Sequence, residues 1–523
     1  MKKLVGILLF HVLIVTTKAQ KNMDLLGYLP FDAKVNDIWA YRAADNKEYA
    51  LVGSEISLYV VDISNPSQAT LLFEIPGDTS IWRDVKTYQD FAYVVNETGG
   101  GLLIADLSHL PDSLPYNYVS QIDNYDFQKA HNIFIDENGV AYLLGSNIGN
   151  KGAFMININS PNPYQPEFLG IYDELYVHDA YARGDTLYTA EISNGTFSII
   201  DVSNKALPVV LARQTSSRAF THNIWLSDEG NYLITTDEKA GAFVDIYDIQ
   251  DLNNIQLLDQ YQTMPGDSAI PHNCFFLGDY IFTSYYRNGL TLVDAHEKDN
   301  LVEIGAYDSS PFHSEAGFQG NWGVYPYLES GHIIMSDREE GLFILNANYT
   351  RASYLSGVVF DTLNMRPVAD AQIQIIGENY LKYTQFDGTY KIGVADSAYY
   401  DIRMYHPNCR TIIETNVLLE TAIDKLLNFE TYCDFVSSIS NTTKEAELSI
   451  RSNPEDNYIE IQLDGEEFLH FVHLVNLQGQ VVKSVEVKAN NAIIQLKEIL
   501  SSGVYILNFQ FDSYATSKKI IKY

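Results

Sequence analysis

The sequence predicts an all-β chain: a seven-bladed β-propeller followed by two small β-sandwich (Ig-like) domains. Three observations carry that expectation. One short strand with Asp or Asn at its end recurs seven times. A second polar column recurs in phase with it. The stretches between are apolar, β-rich runs separated by Gly, Asn and Pro, and none shows a helical period. With 523 residues the chain is too long for one ordinary domain. Its 46% hydrophobic and 13% aromatic content excludes wholesale disorder. Lys+Arg number 34 against 67 Asp+Glu, a formal charge of -33. So acidic a chain offers no basic face for phosphate, which argues against nucleic acid or an anionic membrane as partner.

The N-terminus comes first. Lys2 and Lys3 precede the apolar run 4–15, and Thr17 and Ala19 stand three residues and one residue before the expected cut ahead of Gln20. This pattern predicts a secretory signal peptide over 1–19. The apolar run is far shorter than the ~20 residues needed to span a bilayer. No later segment qualifies, so no transmembrane segment is expected in the mature chain.

The repeats follow. Asp62, Asp106, Asn157, Asp201, Asp248, Asp294 and Asn346 each close an apolar strand, at intervals of 44 to 52 residues. Asp37, Asp84, Asn132, Asp179, Asn223, Asn273 and Asn321 form the second column, at intervals of 44 to 50. Four strands in ~45 residues is the measure of a propeller blade. After six of the motifs another strand follows, but none is evident after Asn346. Residues 23–30 resemble those outer strands. The expectation is a propeller over 20–350 whose N-terminal strand, 23–30, completes the last blade and leaves no open sheet edge. A short polar residue shared by every repeat fits a structural task, hydrogen-bonding backbone where a strand starts or ends.

The repeated strands resemble LVIVD repeats, and the His-Asn and His-Asp pairs at 131–132, 178–179, 222–223 and 272–273 resemble the family called choice-of-anchor B. The resemblance covers roughly residues 23–350. It implies a secreted or surface-displayed propeller and no known reaction.

Residues 354–430 carry alternating strands joined by turns such as Asp387-Gly388, the pattern of a small sandwich. Their order resembles the carboxypeptidase regulatory-like domain, a name that implies no peptidase activity. Cys409 and Cys433 could form a disulfide at its end, whereas Cys274 stands apart and is expected as a buried thiol. The polar stretch 436–447 reads as a linker. Residues 448–523 contain Asn453-Pro454, the segments 474–480 and 500–506, and a basic end at 517–522. Together these resemble a type A sorting domain of the type IX secretion system. That resemblance implies a Bacteroidota-type host and the secretion machinery as partner of 448–523. It also implies export across the outer membrane to an extracellular or surface-attached state.

One column differs between repeats: Asn36, Arg83, His131, His178, His222, His272 and Gly320. Four consecutive histidines are no requirement of the fold, since three repeats do without. Strand alternation puts this column on the opposite face from the Asp/Asn column. With first strands lining a channel, the histidines are expected in an arc at one rim. Glu97, Glu191, Asp237, Glu238, Tyr285, Asp337 and Arg338 of a later strand would join them, together with Arg83.

Three readings compete. Imidazole and carboxylate suit a divalent metal of the zinc class, although the sequence requires no cofactor. Against it, equivalent atoms of adjacent blades are expected roughly 7 Å or more apart, while ligands of one ion lie ~3–3.5 Å from each other. In the second reading a His general base, with Glu191 or Asp237 as partner and an arginine holding an anionic substrate, makes an acid–base enzyme. No nucleophile motif such as Gly-x-Ser-x-Gly accompanies it. In the third, the histidines bond to each other and to backbone, and the propeller recognises an extracellular protein or glycan. The expectation is this last, a non-enzymatic binding protein.

Overall fold

The computed structural model describes residues 20–265, 268–311, 317–378, 381–433, 447–453, 458–464, 469–476, 481–486, 491–495, 503–511 and 515–522. The expected signal peptide lies outside the described residues, as does the expected linker except for Glu447. The described part is all β; its one helical element is the single 3-10 turn Pro66–Gln68.

Residues 35–347 make a series of antiparallel four-stranded meanders. The first sheet is Val35–Arg42, Glu48–Ser54, Ser57–Asp62 and Thr70–Pro76. The same path recurs over 83–119, 132–172, 179–215, 221–261 and 274–307. The seventh sheet takes only three strands from 321–347, and Met23–Leu29 supplies its fourth by pairing antiparallel with Gly341–Ala347. Gln20–Lys21 pair instead with Val302–Tyr307 of the sixth sheet, so the N-terminal segment also bridges two neighbouring sheets.

Consecutive sheets touch through their first strands. Val35–Arg42 lies against Arg83–Tyr88, and contacts continue through Asn132–Ile135, Asp179–Arg183, Thr221–Leu226 and Cys274–Leu277. The sixth sheet meets Asn321–Tyr325 through Tyr280–Ser284, and Asn321–Tyr325 returns to Val35–Arg42, so the order of contacts closes on itself. Apolar side chains on both faces explain this. Each sheet is sandwiched between two others, so central strands such as Leu102–Asp106 are buried on both faces. Outer strands such as Val209–Thr215 alternate between partly buried and exposed. The closing seam is apolar: Ile38, Val52 and Val61 pack with Ile334, Leu342 and Ile344.

The strand-end column works locally. Asp62, Asp106, Asn157, Asp201, Asp248 and Asp294 each accept, through Oδ1, the backbone N–H two residues on, at 2.8–3.1 Å. This turn ends each third strand. After Asn346 the corresponding N–H, of Asn348, donates to the Asn22 carbonyl, because the chain there leaves the ring.

Residues 353–433 form two sheets over one apolar core that includes Leu355, Ile373, Ile392, Ile402 and Phe429. Asp424–Leu426 and Phe429–Thr431 run parallel to Ser353–Asp361, a pairing that the turn-joined sequence pattern does not suggest. Cys409 and Cys433 are joined in a disulfide, and Cys274 is buried and free. Asp294 anchors this unit to the sixth sheet, accepting from Arg351 at 3.0 Å and from the Ala352 N–H and Tyr354 hydroxyl at 2.7 Å. The last strands, Glu447–Asn453 to Ala515–Lys522, form a three-stranded and a four-stranded antiparallel sheet. Among the described residues no helix is long and apolar enough to cross a membrane.

Candidate functional site: the axial histidine arc

His131, His178 and His272 sit just before the first strands of their sheets, and His222 falls in a register break between Thr221 and Asn223. A bulge or a strand's approach has no regular pleat, so the expected alternation does not hold there. Histidines and Asp/Asn residues instead border the same narrow cavity of about 20 Å³, lined by His131, His222 and His272 with Asp84, Asn132 and Asn273. The imidazoles converge more than blade spacing suggests. Ring centroids of His131 and His178 are 3.9 Å apart, those of His178 and His222 4.6 Å, and those of His222 and His272 4.4 Å.

Three of the rings are oriented by a partner on Nδ1. Glu97 faces His131 Nδ1 at 2.6 Å, the Tyr176 hydroxyl faces His178 Nδ1 at 3.0 Å, and the Trp322 carbonyl faces His272 Nδ1 at 2.5 Å. A carbonyl only accepts, so His272 donates through Nδ1. His131 Nε2 and His178 Nε2 face each other at 3.1 Å. Glu238 approaches from the fifth sheet, with its carboxylate 3.9 Å from both His222 Nε2 and His272 Nε2 and accepting from Tyr286 at 2.6 Å. Burial, helped by neighbouring imidazoles, lowers the pKa of His178 well below the usual value and those of His222 and His272 to about 3. All three are neutral at physiological pH. Burial pushes the Glu97 carboxyl up, but the hydrogen bond and charge of His131 outweigh it and hold Glu97 below the usual range.

The arc stops at four for local reasons. Asn36 donates to the Ile81 carbonyl. Arg83 is buried, with its guanidinium on the carbonyls of Ser54 and Asp78 at 2.9 and 2.7 Å. It therefore borders the cavity with two of its five N–H donors committed to backbone. Gly320 has φ +91°, and a Cβ there would sit 2.5 Å from the Tyr286 carbonyl oxygen, which excludes any side chain.

The structure does not bring Glu191 or Asp237 to the histidines. Glu191 is fully buried inside the fourth sheet, bonded to Tyr172, Thr196 and Ser198 and paired with Arg213 at 3.4 Å. Asp237 holds the loop 216–220 through Ser216, the Arg218 N–H and the Phe220 N–H. Asp337 does the same for Ser309 and Ser310. Arg338 stacks on Trp322 at 5.1 Å and donates to the Phe318 carbonyl, outside the arc.

Three stretches, residues 35–75, 77–111 and 176–214, match the LVIVD repeat, and residues 450–523 match the secretion system C-terminal sorting domain. The protein is exported by the type IX secretion system to the cell surface or extracellular space. The repeat matches fall on the first, second and fourth sheets, and suggest a propeller. No curated protein matches the chain.

Beneath the histidines the Asp/Asn column ties adjacent sheets together. Asp37 accepts from the Val85 N–H at 3.2 Å; Asn223 accepts from the Cys274 N–H at 2.9 Å and donates to Asp179 at 2.7 Å. The Lys86 ammonium sits among them, 2.7 Å from Asp84, 3.3 Å from Asp37 and 4.6 Å above the Trp39 ring. Two residues beyond this column lies an aromatic layer that sequence reasoning missed: Trp39, Phe134, Tyr181, Trp225 and Phe275. Phe134 of the third sheet reaches Trp225 of the fifth at 5.9 Å, across the axis, and Tyr327 fills in beside Trp225 at 6.0 Å. The exported ring is thus plugged at that end. The signal was present as an aromatic two residues after five of the seven Asp/Asn positions.

Proposed function

We propose that this is a secreted or surface-displayed, non-enzymatic binding protein. Its ring acts as a seven-bladed β-propeller of the choice-of-anchor B kind, residues 354–430 are a carboxypeptidase regulatory-like spacer, and the final Ig-like module is the export signal. The ligand is an extracellular protein or glycan. One observation carries the choice over an acid–base enzyme. The space beside the histidines is about 20 Å³, against the ~300–1,000 Å³ of ordinary small-molecule sites, and the far end of the axis is filled by aromatic rings. No organic substrate fits there. Recognition falls to the rim, where Ile81, Trp82 and Phe318 are exposed around the arc, Trp82 lying 6.1 Å from His131. Exposed aromatics of this kind anchor glycan and protein contacts.

The test is a screen of the full-length protein on glycan and protein arrays. Saturable binding that falls at least tenfold in Trp82→Ala supports the reading. Turnover of small hydrolysable substrates that disappears in His131→Gln would replace it with the enzyme.

A further inference from the structure

His222 and His272 face the Glu238 carboxylate across gaps too long for a hydrogen bond. His272 spends its Nδ1–H on the Trp322 carbonyl, so its Nε2 carries a lone pair, and that lone pair points at the Glu238 carboxylate 3.9 Å away. His222 presents Nε2 to the other Glu238 oxygen at the same distance, and its buried Nδ1 has no hydrogen-bond partner. The His272 lone pair and the carboxylate repel unless a cation or a donor stands between them.

A second, independent pattern points the same way. Glu97, the Tyr176 hydroxyl and the Trp322 carbonyl each hold a ring by Nδ1. Metal-binding histidines are fixed in this way, by a carboxylate, carbonyl or hydroxyl on the far nitrogen. The facing Nε2 atoms of His131 and His178 are 3.1 Å apart, close to the edge of about 3.3 Å of a tetrahedron with ~2.0–2.1 Å metal–nitrogen bonds.

We propose that the arc binds one divalent cation of the zinc class, held by His178, His222 and Glu238, with the Nε2 atoms of His131 and His272 beside it. The ligand-capable atoms of the three lie within 4.8 Å of one another, so side-chain rotations that bring them roughly 1–2 Å closer complete the set. Neutral imidazoles and a carboxylate are the donors that zinc and its neighbours take. His178 comes from the fourth sheet and the other two ligands from the fifth, so the ion clasps adjacent sheets and its role is architectural. This goes beyond the rim-binding reading and does not depend on it.

The experiment uses full-length protein stripped with chelator. Zn²⁺ is added in calorimetry and thermal melts, and Co²⁺ is added to read its visible absorption. Saturation at one ion per chain, a rise in melting temperature, a tetrahedral Co²⁺ spectrum, and loss of all three in His178→Gln/His222→Gln are expected. Tyr176→Phe removes the hydroxyl on His178 Nδ1 and leaves all three ligands in place, so it decides the matter if the double variant fails to fold; it should bind Zn²⁺ about 10–100-fold more weakly. Absence of saturable binding, or unchanged stoichiometry and affinity in a folded double variant or in Tyr176→Phe, would overturn the site.

Discussion

The Nε2 atoms of His131 and His178 face each other across 3.1 Å, between Glu97 on one outer nitrogen and the Tyr176 hydroxyl on the other. Two ring nitrogens this close share one proton or one cation. A second proton between them would set two cationic rings face to face in a buried site.

Acid should unfold the chelated protein through this arc. His222 and His272 have folded pKa values of about 3, below the unfolded value of 6.5. The unfolded chain thus takes up protons that the folded chain refuses. The stability they contribute is full above pH 6.5 and is lost as pH falls toward 3, by at most roughly 1.4 kcal/mol per pH unit for each histidine. Urea denaturation between pH 7 and 5 measures this, and His272→Gln should flatten the slope. An identical slope in the variant contradicts the assignment.

Lys86→Met leaves Asp37 and Asp84 buried with no cation between them. Burial, and next the charge of Asp37, already push the Asp84 carboxyl well above its ordinary range. Removing the partner of a buried charge typically costs about 3–5 kcal/mol. Adding Asp37→Asn and Asp84→Asn should recover much of that loss. Chemical denaturation of the single and triple variants checks both.

Gly320→Ala forces a side chain onto a left-handed backbone and against the Tyr286 carbonyl. A loss of at least about 1–3 kcal/mol is expected, measured as a lowered melting temperature. Asn36→Ala, whose side chain holds one loop carbonyl, should cost roughly 1 kcal/mol.

Much of this was legible in the sequence, for reasons that differ by residue. The strand-end Asp and Asn act on backbone two residues away, so their periodicity alone reports their task. The histidine column was visible because it breaks that periodicity. The carboxylates were harder to read. Glu191 and Glu238 belong to comparable stretches of neighbouring repeats, yet one points into its own sheet and the other to the axis. That choice depends on where Tyr172, Ser198 and Arg213 sit in space. The convergence of the imidazoles was hidden too, because residues ahead of a strand, and His222 in its bulge, escape the two-residue rule. The parallel strands of 424–431 carry no turn signal that would announce their direction.

The ring is shut by its own N-terminal strand. Asp24 is the cross-strand partner of Asn346 in the seventh sheet. Replacing both with cysteine, Asp24→Cys and Asn346→Cys, and mapping thiols by mass spectrometry under mild oxidation tests it directly. A cross-link joining residues 24 and 346, with a raised melting temperature, is the expected result. Free thiols at both positions in a folded protein would contradict it, and with it the axial site.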